Sequence, residues 1–251
     1  MKIRRKKKIF YLCIGIICVL FISLIIASIY SHTEKSKDKK IISTLSSDII
    51  PLSTLYSSDD SETFDVCIDP GHGGNDNGCN KGKLLEKDDN LKLALVLYKY
   101  LSDKGVSVAI TRATDTYLSL EERKELAEKS KCKLFISLHR NFYENDSSIN
   151  GAEAWIHSSN PSNVYELANT ILNSLCNDES FSNGTFNNRG VKTGTMTDSN
   201  DNYAINKVSM SSMILEMGFM SNKEDNIYFK DNTDTYATII GDKIIEYINS
   251  Y

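Results

Sequence analysis

Histidine is scarce in this chain: four residues among 251, at positions 32, 72, 139 and 157. Any imidazole chemistry must therefore be assembled from very few groups. Basic charge is scarce too, once its position is considered. Six of the 29 Lys and Arg fall within residues 1–8, which hold no acid, leaving 23 to set against 33 acids. Neutralising phosphates requires clustered Lys and Arg, so a body this acidic is not a nucleic-acid binder. No Cys-x-x-Cys pair occurs, which argues against a cysteine-rich zinc site. Cys67, Cys132 and Cys176 lie in or beside apolar segments, where cysteine acts as a small buried hydrophobe, and no obligatory disulfide is expected. No internal repeat follows residue 62. What is present, 41 % apolar and 25 % charged residues, is the balance of a chain that buries a full core, and the length suits one domain with accessories.

The amino terminus divides into a basic segment, residues 1–8, and an uncharged, mostly apolar run over 9–30. A helix of that length spans a hydrocarbon core of roughly 30 Å. The run is longer than a cleavable signal and its small-x-small exit is weak, so a membrane anchor or uncleaved signal is expected. The preceding Lys and Arg keep that end cytoplasmic and place the body outside the membrane. Residues 31–62, rich in Ser, Lys and Asp without sustained period, read as a flexible tether.

From residue 63 to 251, short β-branched runs alternate with helix-period segments. "FDVCID" (64–69), "VSVAIT" (106–111), "LFISLH" (134–139), "AEAWIH" (152–157) and "MILEMG" (213–218) predict strands. Residues 88–103 predict a helix packed on two sides. Ser119-x-x-Glu122 opens a helix to about Lys131 with a capping box. Residues 161–177 place Val164, Leu167, Ala168, Ile171, Leu172 and Leu175 on one face, and Tyr236, Ala237, Ile240, Ile244, Tyr247 and Ile248 repeat that logic. The expected fold class is α/β: a mixed, largely parallel central sheet of about six strands, with helices on both faces, forming a single domain.

In such sheets sites gather at the carboxyl ends of strands. His72 follows the first strand run, His139 closes the third, and Glu216 stands near the end of the last. Two histidines and a carboxylate make the ligand set of many catalytic zinc sites, with one position left for water. Glu86, beside a helix start after the loop leaving His72, supplies a second carboxylate, so one can ligate and the other can handle a proton. Bland alternatives exist: His72 can simply decorate a glycine-rich turn, and His139 can be a satisfied strand-end residue. Glu216 resists that reading, because an unpaired buried carboxylate costs several kcal/mol or shifts its pKa. His32, in the tether, and His157, ending an edge-like run, read as structural. So do Arg112 and Arg123, as ion-pairing residues.

The motifs "IDPGHGG", "EKD", "TRATDTYLSLEER", "FISLHRN", "NRGVK" and "ILEMGFMSN" occur in the order seen in zinc-dependent N-acetylmuramoyl-L-alanine amidases of the amidase-3 class, and the chain resembles that family over residues 64–251. The resemblance implies an α/β fold, zinc held by His72, Glu86 and His139, and Glu216 as the catalytic carboxylate. It implies hydrolysis of the amide between the lactyl group of N-acetylmuramic acid and L-alanine of the peptidoglycan stem peptide. Glu216 would move a proton from water to the departing amine. Two further residues are candidates for substrate contact. Asn141 is an orienting group or a strand-end cap, and Arg140, where relatives carry a small or apolar residue, either reaches the cleft to hold a carboxylate or points to solvent. An anchored catalytic domain without wall-binding repeats looks like the spore-cortex amidases, with a vegetative cell-separation role as the alternative. Regulation would then come from location or from an accessory protein. The competing functions are a zinc peptidase cutting within the stem peptide and a catalytically silent wall-binding scaffold.

Overall fold

The structure, a computed structural model, describes residues 2–55, 63–181 and 186–250. It forms two units, Met1–Thr44 and Leu45–Tyr251. The first is formed by helix α1, which runs from Lys2 to Ser46 and so ends two residues beyond the unit boundary. The helix continues well past residue 30, where a tether is expected. Residues 31–46 contain no Gly or Pro and are rich in Lys, a good helix former, and Pro51 comes only afterwards. Among the described residues no helix is long and apolar enough to cross a membrane. The side chains of residues 9–15, 18 and 30 within the run expected to be an anchor lie outside the described residues, as do tether residues 56–62.

In the second unit a short helix α2 (Leu52–Leu55) precedes strand β1 (Val66–Pro70), the hairpin β2 (Asn80–Lys81) and β3 (Leu84–Leu85), and helix α3 (Glu86–Asp103). Then follow β4 (Val108–Ile110), α4 (Leu120–Ser130), β5 (Leu134–Asn141), β6 (Ala152–Ile156), α5 (Ser162–Asn177), β7 (Asn188–Thr193), β8 (Ser211–Phe219), α6 (Lys223–Asp231) and α7 (Thr233–Ile248). The central sheet has six strands in the order β4-β1-β5-β8-β6-β7. Strands β4, β1, β5 and β8 are mutually parallel, whereas β6 runs antiparallel to β8 and parallel to β7. The mixed, mostly parallel sheet is as expected. The predicted capping box is present: the Ser119 hydroxyl accepts from the Glu122 backbone, and the Glu122 carboxylate accepts from the Ser119 N–H at 2.7 Å. Strand β7 and helix α6 were not predicted. "NRGVKT" is an edge strand with a glycine and two cations, and it lacks the apolar alternation that marks buried strands.

Strand alternation divides the core. Cys67, Phe135, Ile214 and Trp155 share one face with Leu126 and Ala127 of α4 and with Leu52 of α2. The opposite face is covered by α3, α5 and α7, which contact β1, β5 and β6 and one another. Because side chains alternate along a strand, the first face continues from Phe135 through Ser137 to His139 and Asn141, and from Ile214 to Glu216. The candidate site therefore lies where the α4 face meets the strand ends.

Candidate functional site

Three predicted residues come together at that rim. His72, in the loop after β1, Glu86, the first residue of α3, and His139, near the end of β5, bring one nitrogen or oxygen each within 4.8 Å of one another. The nitrogens facing Glu86 are His72 Nε2, 3.2 Å from Oε2, and His139 Nδ1, 3.0 Å from Oε1. The backbone N–H groups of Cys79 and Arg140 also donate to this carboxylate, at 2.8 and 3.1 Å. Burial works against the Glu86 charge, yet the two imidazoles hold its pKa well below the ordinary carboxylate range. His72 is turned by its neighbours as well. Its Nδ1 lies 2.8 Å from Asp76 Oδ2, leaving Nε2 aimed inward. Burial alone would lower its pKa, but Glu86 and Asp76 push it up to about 9.

The loop carrying His72 is held from below. His72 has φ +61°, a left-handed conformation that costs a non-glycine residue free energy and persists only when its surroundings impose it. Buried Arg123 donates to the carbonyls of Pro70 (2.8 Å) and His72 (2.7 Å) and pairs with Asp69 Oδ1 (2.7 Å). Buried Arg112 donates to the carbonyls of Pro70, Gly71, Lys87 and Thr114. Arg123 is thus the expected ion-pairing residue, while Arg112 instead serves backbone oxygens. Asp69 also accepts from the Thr111 and Ser137 hydroxyls, at 2.6 and 2.7 Å. Burial raises its pKa, but Arg123 and those hydroxyls more than offset this and keep it below the usual value.

Glycine is needed at two points. A Cβ at Gly71 would collide with the His139 ring, and one at Gly78, where φ is +62°, would lie 2.5 Å from His72 Cδ2 and 2.6 Å from Glu86 Oε2. The close approach of the imidazoles depends on both absences.

Glu216 sits in β8 directly beside His139 in register. Its Oε2 is buried without a hydrogen-bond partner. Burial pushes its pKa up to about 7, against the lowering influence of His139 and reinforced by Glu86 and Glu153. A carboxyl poised there, with an oxygen left over, suits proton transfer near neutrality. The donor set of two imidazole nitrogens and one carboxylate, with Glu216 alongside, fits a divalent cation with an open coordination position.

Arg140 corrects both expectations made for it, since it reaches neither cleft nor solvent. Lying between His139 and Asn141 on β5, it points to the opposite face. There it is buried, donating to Asp89 Oδ2 at 2.6 Å, to Asn226 Oδ1 at 3.0 Å and to the Gly218 carbonyl at 3.3 Å, over the Phe229 ring. Asn141 does lie on the site face. Its amide donates to Glu153 Oε1 at 3.0 Å, and its own oxygen accepts from the Phe142 N–H. His157 bonds Ser159 and Asn202 away from the cluster. Glu153 was missed in the sequence. It stands opposite Glu216 across the antiparallel β6–β8 pair, and only that pairing reveals its place.

An α/β sheet that gathers a His-Glu-His triangle and an adjacent carboxylate on one strand-end rim presents a candidate metal site. Residues 66–250 match the amidase-3 family, N-acetylmuramoyl-L-alanine amidase, and the chain belongs to it. It is 30 % identical over 190 residues to the protein named "Probable cell wall amidase LytH" of Staphylococcus aureus, covering 74 % of this chain and 57 % of that protein. Among solved structures it is similar to the N-acetylmuramoyl-L-alanine amidase AmiC2 of Nostoc punctiforme (TM-score 0.64, 30 % identity, 76 % of this chain and 99 % of that one). It is also similar to the CwlD amidase of Clostridioides difficile, solved in complex with the GerS lipoprotein (TM-score 0.65, 25 % identity, 75 % of this chain and 100 % of that one).

Proposed function

We propose that this chain is a zinc-dependent amidase that cleaves the bond between muramic acid and L-alanine of peptidoglycan stem peptides. The observation that carries the reading is the triangle of His72, Glu86 and His139 with the partnerless carboxylate oxygen of Glu216 beside it. Zinc bound by the three would supply Lewis acidity to the scissile carbonyl and to a water molecule. Glu216 accepts the proton of that water as its oxygen adds to the carbonyl carbon. It then delivers the proton to the alanine nitrogen as the C–N bond breaks, so that a lactyl carboxylic acid and an alanine amine result, which ionise to carboxylate and ammonium in water. Asp76 orients His72, and Arg112 and Arg123 hold the loop that carries it, the kind of outer support that tunes a metal site.

Mass spectrometry of digested purified peptidoglycan tests the reaction. The expected products are peptide-free muramic acid and stem peptides with a new alanine amino terminus. Cleavage between amino acids would make the protein a peptidase instead, and bound zinc without cleavage would make it a scaffold. Metal binding has its own test. Gly78→Ala drives a methyl group between His72 and Glu86, so zinc affinity should fall about 10- to 100-fold, the usual effect of disturbing ligand support. A chelator competition titration reads it, and unchanged affinity would remove this triangle as the metal site.

The setting proposed is the cell envelope, with the catalytic unit outside the membrane and the apolar run of α1 as anchor. Support comes from the exposed apolar side chains along that run, among them Ile17, Leu20, Phe21, Leu24 and Ile26, which lipid would cover. An accessory protein is part of the reading, since CwlD is seen with a lipoprotein. A spore-cortex role is distinguished from a vegetative one by muropeptide analysis of spores from a deletion strain, where retained muramic-δ-lactam would exclude the cortex.

A further inference from the structure

Beyond Glu216 the site face continues across the sheet into a charged cluster that the reaction above does not use. Glu153 of β6 is buried, 2 % exposed, and is saturated with donors. Its Oε1 accepts from Asn141 and from the Trp155 indole at 3.0 Å, and its Oε2 accepts from Arg189 Nε at 2.9 Å and Lys192 Nζ at 2.6 Å. Both cations come from edge strand β7, each is 33 % exposed, and each lies over an aromatic ring: Arg189 over Phe219 at 4.9 Å, Lys192 over Trp155 at 5.2 Å. One buried carboxylate accepts from both cations, so Arg189 and Lys192 share a single ion-pair partner at bonding distance. Arg189 meets Glu153 through Nε and is one-third exposed, and a guanidinium bonded in this way keeps two terminal nitrogens with which to hold a carboxylate. In a body whose acids outnumber its bases, two partly exposed cations sharing one carboxylate beside Glu216 offer a place for an anion.

We infer that Arg189 and Lys192, braced by Glu153, form a subsite for a carboxylate of the stem peptide, on the leaving-group side of the scissile amide. The inference rests on the amidase reading and deepens it by naming a substrate determinant. Chemistry fixes the side. The lactyl carboxyl of muramic acid is consumed in the amide, and the neighbouring sugars are neutral, so carboxylates belong to the peptide. Geometry fixes the distance. Strands lie about 4.8 Å apart, so Glu153 is one spacing and β7 two spacings from Glu216. The cationic heads reach back to Glu153, at 2.9 and 2.6 Å, and so lie between one and two spacings from Glu216, about 5–10 Å, which an extended peptide advancing about 3.3 Å per residue crosses in two or three residues. The acidic second residue, joined through its side-chain carboxyl and so keeping its α-carboxylate, falls there.

The test compares two muramyl tripeptides, N-acetylmuramoyl-L-alanyl-γ-D-glutamyl-L-lysine with the glutamyl α-carboxyl free or amidated, using the full chain loaded with zinc. The wild type should prefer the free acid by about tenfold or more in kcat/KM, as expected for loss of one charge-assisted contact. In Arg189→Gln and in Lys192→Met the preference should shrink toward unity, chiefly through the free-acid substrate, and Arg189→Lys should restore part of it. Equal kcat/KM for both substrates in the wild type overturns the subsite. So does a parallel loss on both substrates in folded variants, which would leave the cations as neutralisers of Glu153 only. If neither tripeptide is hydrolysed, the amidase reading falls, and equilibrium binding of the same pair still decides the subsite: tenfold tighter binding of the free acid supports it, and equal binding overturns it.

Discussion

Replacing Glu216 by glutamine lowers stem-peptide release by about 100- to 10,000-fold, the usual worth of a positioned general acid–base, while zinc stoichiometry by elemental analysis stays at the wild-type value. Glutamine keeps the size and one acceptor but cannot take a proton. The site gives the carboxylate nothing else to do: its Oε2 has no partner, and no bond across the sheet would be lost. Alanine in place of His72, Glu86 or His139 should behave differently, with metal content and activity falling together. The split between the two classes of variant is the informative result. Release unchanged in Glu216→Gln removes that residue from proton transfer, and loss of zinc in the same variant would make it a ligand instead.

The second large effect concerns stability. Arg123→Leu leaves Asp69 as a buried carboxylate without its ion partner, and breaking a buried pair in this way costs about 3–5 kcal/mol. Denaturant titration of the full chain measures it, and a loss under about 1 kcal/mol, the scale of an exposed pair, would contradict the assigned role. The pH dependence has a definite sign. The folded pKa of Asp69 lies below its unfolded value, so the carboxylate contributes fully above about pH 4 and the contribution fades as pH falls through the lowered folded value. The stability gap between wild type and Asp69→Asn should accordingly be flat at neutral pH and close in acid. Because Arg123 also holds the His72 carbonyl, hydrolysis should suffer in Arg123→Leu at temperatures where the protein is still folded.

The sheet, and the rim on which His72, Glu86, His139 and Glu216 gather, are legible in the sequence because they rest on short-range signals: apolar runs with a histidine or a glutamate at or near their ends. Arg140 was misjudged for a reason the sequence also contained. On a strand whose His139 faces the site, the next residue must face away, and period alone assigns Arg140 to the helical layer with Asp89. Glu153 was illegible because its role depends on β6 running against β8, which no local pattern announces. Asp69 reads in the sequence only as the last residue of the first strand run. Its importance comes from Thr111, Arg123 and Ser137, which are 42, 54 and 68 positions away. Residues 31–46 are helical, which their polar composition does not announce, although nothing in them breaks a helix.

The reversal of β6 and β7 has an evolutionary corollary. Strands β1, β5 and β8 deliver their residues to the rim as they end, whereas β6 and β7 deliver Glu153 and Arg189 as they begin. The connection 142–151 therefore borders the cleft at both of its ends, with Asn141 before it and Glu153 just after it, and its length is not set by the sheet. Insertions or exchanges there can retool what the cleft admits while the chemical residues stay in register, making this loop the natural graft point for altering substrate choice.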